Sequence, residues 1–146
     1  MATKIRRVLP AEAHALQAQG YVYIDVRSEG EFFEGHPAGA YNVPLLHTDT
    51  SGARVPNPEF LAVMEANFPK DCRIVLGCRS GQRSMKAAEL LVGAGYCGLI
   101  EVRTGFDGVR DPFGAVVEKG WKASGLPVSY EPEAGHSYRE LRRKVG

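Results

Sequence analysis

The chain carries no excess of either charge: 18 lysines and arginines face 17 aspartates and glutamates, for a net +1 at neutral pH. Nothing in that balance favours nucleic acid or an anionic membrane as a partner. It lacks any apolar run near the roughly 18–20 residues that a membrane span requires. Met1-Ala-Thr-Lys-Ile-Arg-Arg7 leads into no apolar signal core, so a cytoplasmic protein is expected. Cysteine is sparse. Cys72, Cys78 and Cys97 form an odd set without C-x-x-C spacing, which argues against a disulfide framework and a structural zinc site alike, and no metal or cofactor is expected. Internal repeats, low-complexity stretches and long polar breaks are also missing, so the 146 residues read as one compact domain. One further absence is local. Between positions 78 and 86 stand Arg79, Arg83 and Lys86, with no acid among them.

That acid-free stretch is what the rest of the chain is built around. The run Ile74-Val-Leu-Gly77 reads as a buried strand, Cys78-Arg-Ser-Gly-Gln-Arg-Ser84 as a tight polar loop, and the following residues as a helix. The sulfur is thereby delivered to a helix N-terminus, where backbone N–H groups lack intrahelical partners and the dipole adds positive potential. A thiolate or a small oxyanion is favoured there, and Gly81 lets the loop bend its amides inward. A lone cysteine after a strand is ordinarily a small buried hydrophobe. Its loop makes Cys78 the candidate nucleophile, whereas Cys72 and Cys97 keep the ordinary reading. Taken alone, a thiol in an anion cradle suits a phosphatase, a redox sensor or a sulfur-transfer enzyme equally well.

Strands and helices alternate along the chain. Ile5–Leu9 reads as a short edge strand, and Pro10 suits the first turn of a helix closed by Gly20. Tyr21–Val26 is a dense β-prone run. Ser28 and Glu31 have the S-x-x-E spacing of a capping box for a short helix stopped by Gly35. His36–Pro44 is a loop with a short strand, and His47–Val55 is polar loop. Asn57-Pro58-Glu59 signals a helix start, with Phe60, Leu61, Met64 and Phe68 on one side. After the loop, Ala87, Leu90, Leu91 and Ala94 recur at helical spacing, and Leu99–Val102 is another apolar strand. Strands separated by helices of this length imply parallel crossovers and an α/β sheet with helices on both faces.

The ordered set Asp25-Val-Arg27, Glu31-Phe32, Gly35-His36, Gly39-Ala40, Asn42-Val-Pro44, Cys78-Arg-Ser-Gly-Gln-Arg83 and Gly125-Leu-Pro127 resembles the single-domain rhodanese sulfurtransferases, over roughly residues 5–130. The resemblance implies a single rhodanese-like domain over 1–130 with a five-stranded parallel sheet, and leaves 131–146 as a C-terminal tail. It also implies that Cys78 cycles through a persulfide, taking a sulfane sulfur from a small anionic donor such as thiosulfate. A thiol, or cyanide in an assay, would be the acceptor. Arg79, Ser80, Gly81, Gln82, Arg83 and Ser84 are the substrate-binding candidates. The two arginine forks suit the oxygens of thiosulfate and the departing sulfite. Asp25, Arg27, His36 and Asn42 are read as structural support: two residues apart on a strand, Asp25 and Arg27 point the same way and suit a fixed ion pair.

Cdc25-type dual-specificity phosphatases share this fold but space cysteine and arginine as C-x5-R. Here four residues separate Cys78 from Arg83, so the loop is one residue short. Two departures from the rhodanese pattern stand out. Thr104-Gly105 replaces a Gly-Gly pair, and Trp121 is delayed by the segment Asp107–Gly120. That segment is expected as a surface excursion with Trp121 in the core. The tail, where Ser137 can cap a helix ending in Arg139, Arg142, Arg143 and Lys144, is expected to be solvated and frayed.

Overall fold

The computed structural model describes residues 5–145. Met1–Lys4, most of the stretch read for a signal core, and Gly146 at the end of the basic tail lie outside the described residues. In chain order the elements are β1 (Arg6–Val8), α1 (Pro10–Ala18), β2 (Val22–Asp25), α2 (Glu29–Phe33), β3 (His36–Pro37), β4 (Tyr41–Asn42), β5 (Leu46–Thr48) and β6 (Arg54–Pro56). They continue with α3 (Phe60–Asn67), β7 (Ile74–Gly77), α4 (Gln82–Gly93), β8 (Leu99–Val102), β9 (Val109–Arg110), β10 (Val116–Glu118), β11 (Val128–Ser129) and α5 (Tyr138–Arg142).

Five strands form one sheet in the order β1-β8-β7-β2-β4, every adjacent pair parallel. Alternation along the strands splits the core in two. Ile24, Ile74, Leu76 and Leu99 pack with Phe60, Val63 and Met64 of α3, Ala87, Ala88 and Leu91 of α4, and Tyr138 and Leu141 of α5. Tyr23, Val75, Ile100 and Val102 pack with Ala13 and Leu16 of α1 and Phe32 of α2. Three two-stranded pairs, β5–β6, β9–β10 and β3–β11, lie outside the main sheet.

Local signals explain several helix starts. Pro10 opens α1. Ser28 Oγ accepts from the Glu31 amide while Glu31 Oε1 accepts from the Ser28 amide, completing the capping box of α2. The start of α3 falls later than Asn57-Pro58-Glu59 suggested: Asn57 Oδ1 accepts from the Glu59 amide at 3.0 Å in a turn that precedes the helix, while its amide nitrogen ties that turn to its neighbours. Its Nδ2 donates to Pro44 O at 2.9 Å and to Tyr138 Oη at 3.1 Å, and regular helix begins at Phe60.

The C-terminal segment requires a correction. Ser137 caps α5 as anticipated, accepting from the Glu140 amide. Tyr138 and Leu141, however, are each only 5% exposed and belong to the α3–α4 core, so this stretch is docked, not solvated and frayed. Two apolar residues three apart on one short helix give it a face to bury. Trp121 is fully buried as expected, with its Nε1 donating to Pro127 O at 2.8 Å and its ring edge-on to Tyr23.

Candidate active site

β7 is the middle strand of the sheet, and the chain leaves it at Gly77 to form the loop that starts α4. Gly77 accommodates the Tyr23 hydroxyl, which would lie 1.9 Å from any Cβ placed there. Cys78 is 2% exposed. Gly81 caps α4 in the left-handed region at φ +101°, and its amide donates to Cys78 Sγ at 3.1 Å. A Cβ on Gly81 would sit 2.2 Å from the carbonyl oxygen of Arg103, so both the conformation and the space require glycine. The loop is pinned from the other side by Phe106 N–H to Cys78 O at 2.8 Å and Asp107 N–H to Arg79 O at 2.9 Å.

Cys78 lies at a pocket of about 390 Å³ bordered by the loop residues Arg79, Ser80, Gln82 and Arg83, by Arg54 of β6, and by Asp107–Arg110. The late insertion is the surface excursion expected from sequence, and it also borders the site. It is a surface hairpin, β9–β10, whose first residues form one lip of the mouth, and it delivers Trp121 to the core.

Both loop arginines reach the pocket, and both already hold a carboxylate. Exposed Arg79 donates from Nε to Asp107 Oδ2 at 2.9 Å. Arg83, only 9% exposed in its side chain, makes a two-pronged bond to Glu31, Nη1 to Oε1 at 2.7 Å and Nη2 to Oε2 at 2.9 Å. Burial by itself would raise the Glu31 carboxyl. The Arg83 bonds and charge, with help from Ser28, outweigh burial and hold it down at about 2. Arg54 approaches the same carboxylate at 3.7 Å.

Ser84 is set apart from the other substrate-binding candidates. It is fully buried behind the sulfur, with Oγ 3.3 Å from Cys78 Sγ. On its far side Ser84 Oγ donates to Glu101 Oε2 at 2.5 Å, and Arg7 Nε donates to Glu101 Oε1 at 2.5 Å. Sequence reasoning passed over Glu101 and Arg7. The available signal was a single acid inside a four-residue apolar strand, with every position of β8 buried.

The support residues brace the neighbouring loops. Arg27 Nη2 donates to Asp25 Oδ2 at 2.7 Å and to Gly35 O at 2.7 Å, and its guanidinium lies over the Phe106 ring. Burial would lower Arg27, but Asp25 reverses this and raises it. Asn42 Nδ2 donates to the carbonyls of Asp25 and Arg27, fixing β4 to the end of β2. His36 stacks on Phe32, with Nδ1 2.8 Å from Phe32 O, and borders no part of the Cys78 pocket. Neither does Cys72, whose thiol is pushed up by burial and then by Asp71, nor the exposed Cys97.

Comparison with known proteins agrees with this geometry. The profile described as "Rhodanese-like domain" matches residues 9–111. Thiosulfate sulfurtransferase 16, chloroplastic, of Arabidopsis thaliana is 36% identical over 116 residues, spanning 80% of this chain and 86% of the relative. Thiosulfate sulfurtransferase GlpE of Stutzerimonas stutzeri (strain A1501) is 28% identical over 116 residues, 80% of this chain and 94% of its own length. The crystal structure of Rv0390 from M. tuberculosis superposes with a TM-score of 0.73 at 30% identity, covering 88% of this chain and all of that one. A thiol held by a loop amide at the centre of a parallel five-stranded sheet, in a chain with these relatives, belongs to the rhodanese-like sulfurtransferase family.

Proposed function

We propose that the protein is a thiosulfate sulfurtransferase working through a Cys78 persulfide. The observation carrying this reading is the Gly81 amide aimed at Cys78 Sγ at 3.1 Å, at a pocket ringed by Arg54, Arg79, Arg83 and Arg110. The thiolate of Cys78 attacks the outer sulfur of thiosulfate; the S–S bond of the donor breaks, sulfite leaves with the bonding pair, and a persulfide anion remains on the enzyme. The loop amide and the arginines offset the negative charge of donor, persulfide and leaving group. An incoming thiolate or cyanide then takes the outer sulfur and restores Cys78. Small anions and thiols are thus the partners, with no role for nucleic acid or membrane. The relative named thiosulfate sulfurtransferase 16, at 36% identity, supports the donor choice.

The expected result is thiocyanate formation from thiosulfate and cyanide, abolished by Cys78→Ser. Wild-type turnover no greater than that of the variant refutes the reading. Arg79→Ala should lose preference for thiosulfate over mercaptopyruvate, since the basic loop is what favours an inorganic anion. A persulfide that forms on Cys78 by intact mass but does not turn over would indicate a carrier or sensor module instead.

A further inference from the structure

Glu101 has no part in the reaction just described, and its place is costly for a carboxylate. It is wholly buried in β8, on the side of the sheet covered by α4. An ionised carboxylate only accepts hydrogen bonds, and a serine hydroxyl has one proton to give. With that proton donated to Glu101, Ser84 presents a lone pair to the sulfur, so the 3.3 Å contact is the Cys78 S–H donating to Ser84 Oγ. Sulfur, hydroxyl and carboxylate form an unbroken line of donors leading inward from the pocket, ending on a group able to accept a proton.

We propose that Glu101 holds the Cys78 thiol proton, passed to it through Ser84, while the sulfur acts as a nucleophile. The inference rests on the role given to Cys78 above. As the S–H bond breaks, its proton goes to Ser84 Oγ and the Oγ–H proton goes to Glu101 Oε2. The sulfur keeps the electron pair, and Glu101 becomes a neutral acid. Sulfur and carboxyl together carry one negative charge before and after, opposite the Arg7 guanidinium. Ser84 now donates to the sulfur, so the thiolate gains a second donor beside the Gly81 amide. Glu101 acts on the sulfur only through Ser84 and is a positioning residue.

The other charged groups around this line do not compete for the proton. Arg7 of β1 is bound to Glu101 itself, and Arg103 at the end of β8 pairs with Glu118. On β2, Asp25 is paired with Arg27. Tyr23 packs on the opposite side of the sheet and is pushed well above its ordinary range by burial and then by Asp25, so it stays neutral.

A proton moved within the pair need not be exchanged with solvent, so this route supplies a pH-independent share of thiolate, added to what the thiol loses directly to water. The test is the rate of iodoacetamide alkylation, read at Cys78 by peptide mass, from mildly acidic to mildly alkaline pH. Wild-type protein should level off to a plateau at the acidic end. Glu101→Gln removes the acceptor, and its rate should climb about tenfold per pH unit until the thiol is fully ionised. Ser84→Ala breaks the line but leaves the carboxylate, removes a single oxygen, and should behave like Glu101→Gln; it carries the test if the glutamine variant fails to fold. A wild-type profile with no such plateau, or profiles that are the same in all three proteins, overturns the proposal. Alkylation does not depend on sulfur transfer, so an acid-side plateau in the wild type without thiocyanate formation would remove the proposed function and leave the proton line standing.

Discussion

Glu31→Gln tests how the mouth of the site is held. The substitution keeps size and one acceptor but removes the charge that faces Arg83. The fall of the Glu31 carboxyl from an ordinary 4.5 to about 2 sets an upper limit of roughly 3 kcal/mol on its contribution to folding. The side chain is partly open to water, so screening brings the expected loss to about 1–2 kcal/mol at neutral pH. The sign follows from the direction of the shift. A carboxyl held low in the folded state stabilises above its unfolded value, and the contribution drains away between about pH 5 and pH 2 as the folded protein must also bind the proton. Urea unfolding of wild type and variant, stepped from neutral down to about pH 3, should show a gap that shrinks by more than half. Equal stabilities at neutral pH, or a gap that ignores pH, would refute the reasoning. The same variant leaves the charge of Arg83 uncompensated beside the pocket, and KM for thiosulfate should fall.

Two further changes bear on the loop and the tail. Gly81→Ala forces a left-handed side chain and a 2.2 Å approach to Arg103 O, at about 2 kcal/mol or more; circular-dichroism melting should register the loss, and persulfide formation followed by intact mass should drop, since the amide facing the sulfur must move. Leu141→Ala should destabilise the domain by about 2 kcal/mol in urea titration, because Leu141 is buried against α3; an unchanged midpoint would restore the picture of a solvated tail.

Local instructions in this chain were readable, and long-range ones were not. Ser28 and Glu31 announced their capping box because both partners lie within one turn. The other duty of Glu31, clasping Arg83 from 52 residues away, leaves no mark at either position alone. A hint existed on the other side: a cation in the first turn of a helix opposes the dipole and calls for a compensating partner. The short apolar run Leu99–Val102 identified a strand, but nothing nearby says that Glu101 meets Arg7 in the neighbouring strand and Ser84 in the first turn of α4. The tail failed for a similar reason. Its basic residues are visible one by one, whereas Tyr138 is buried against α3 and α4 and bonded to Asn57, 81 residues earlier.

The strand that bears the sulfur is flanked on both sides by two others, whereas the lips of the pocket belong to isolated two-stranded ribbons, β5–β6 and β9–β10. Opening free energies in native proteins grade from loosely paired edges to the most enclosed strands. Amide exchange should therefore be slowest in Ile74–Gly77 and fast in Arg54–Pro56 and Val109–Arg110. In the proposed reaction, such an aperture would breathe to admit acceptors of different girth while the floor, and the aim of its sulfur, stayed still.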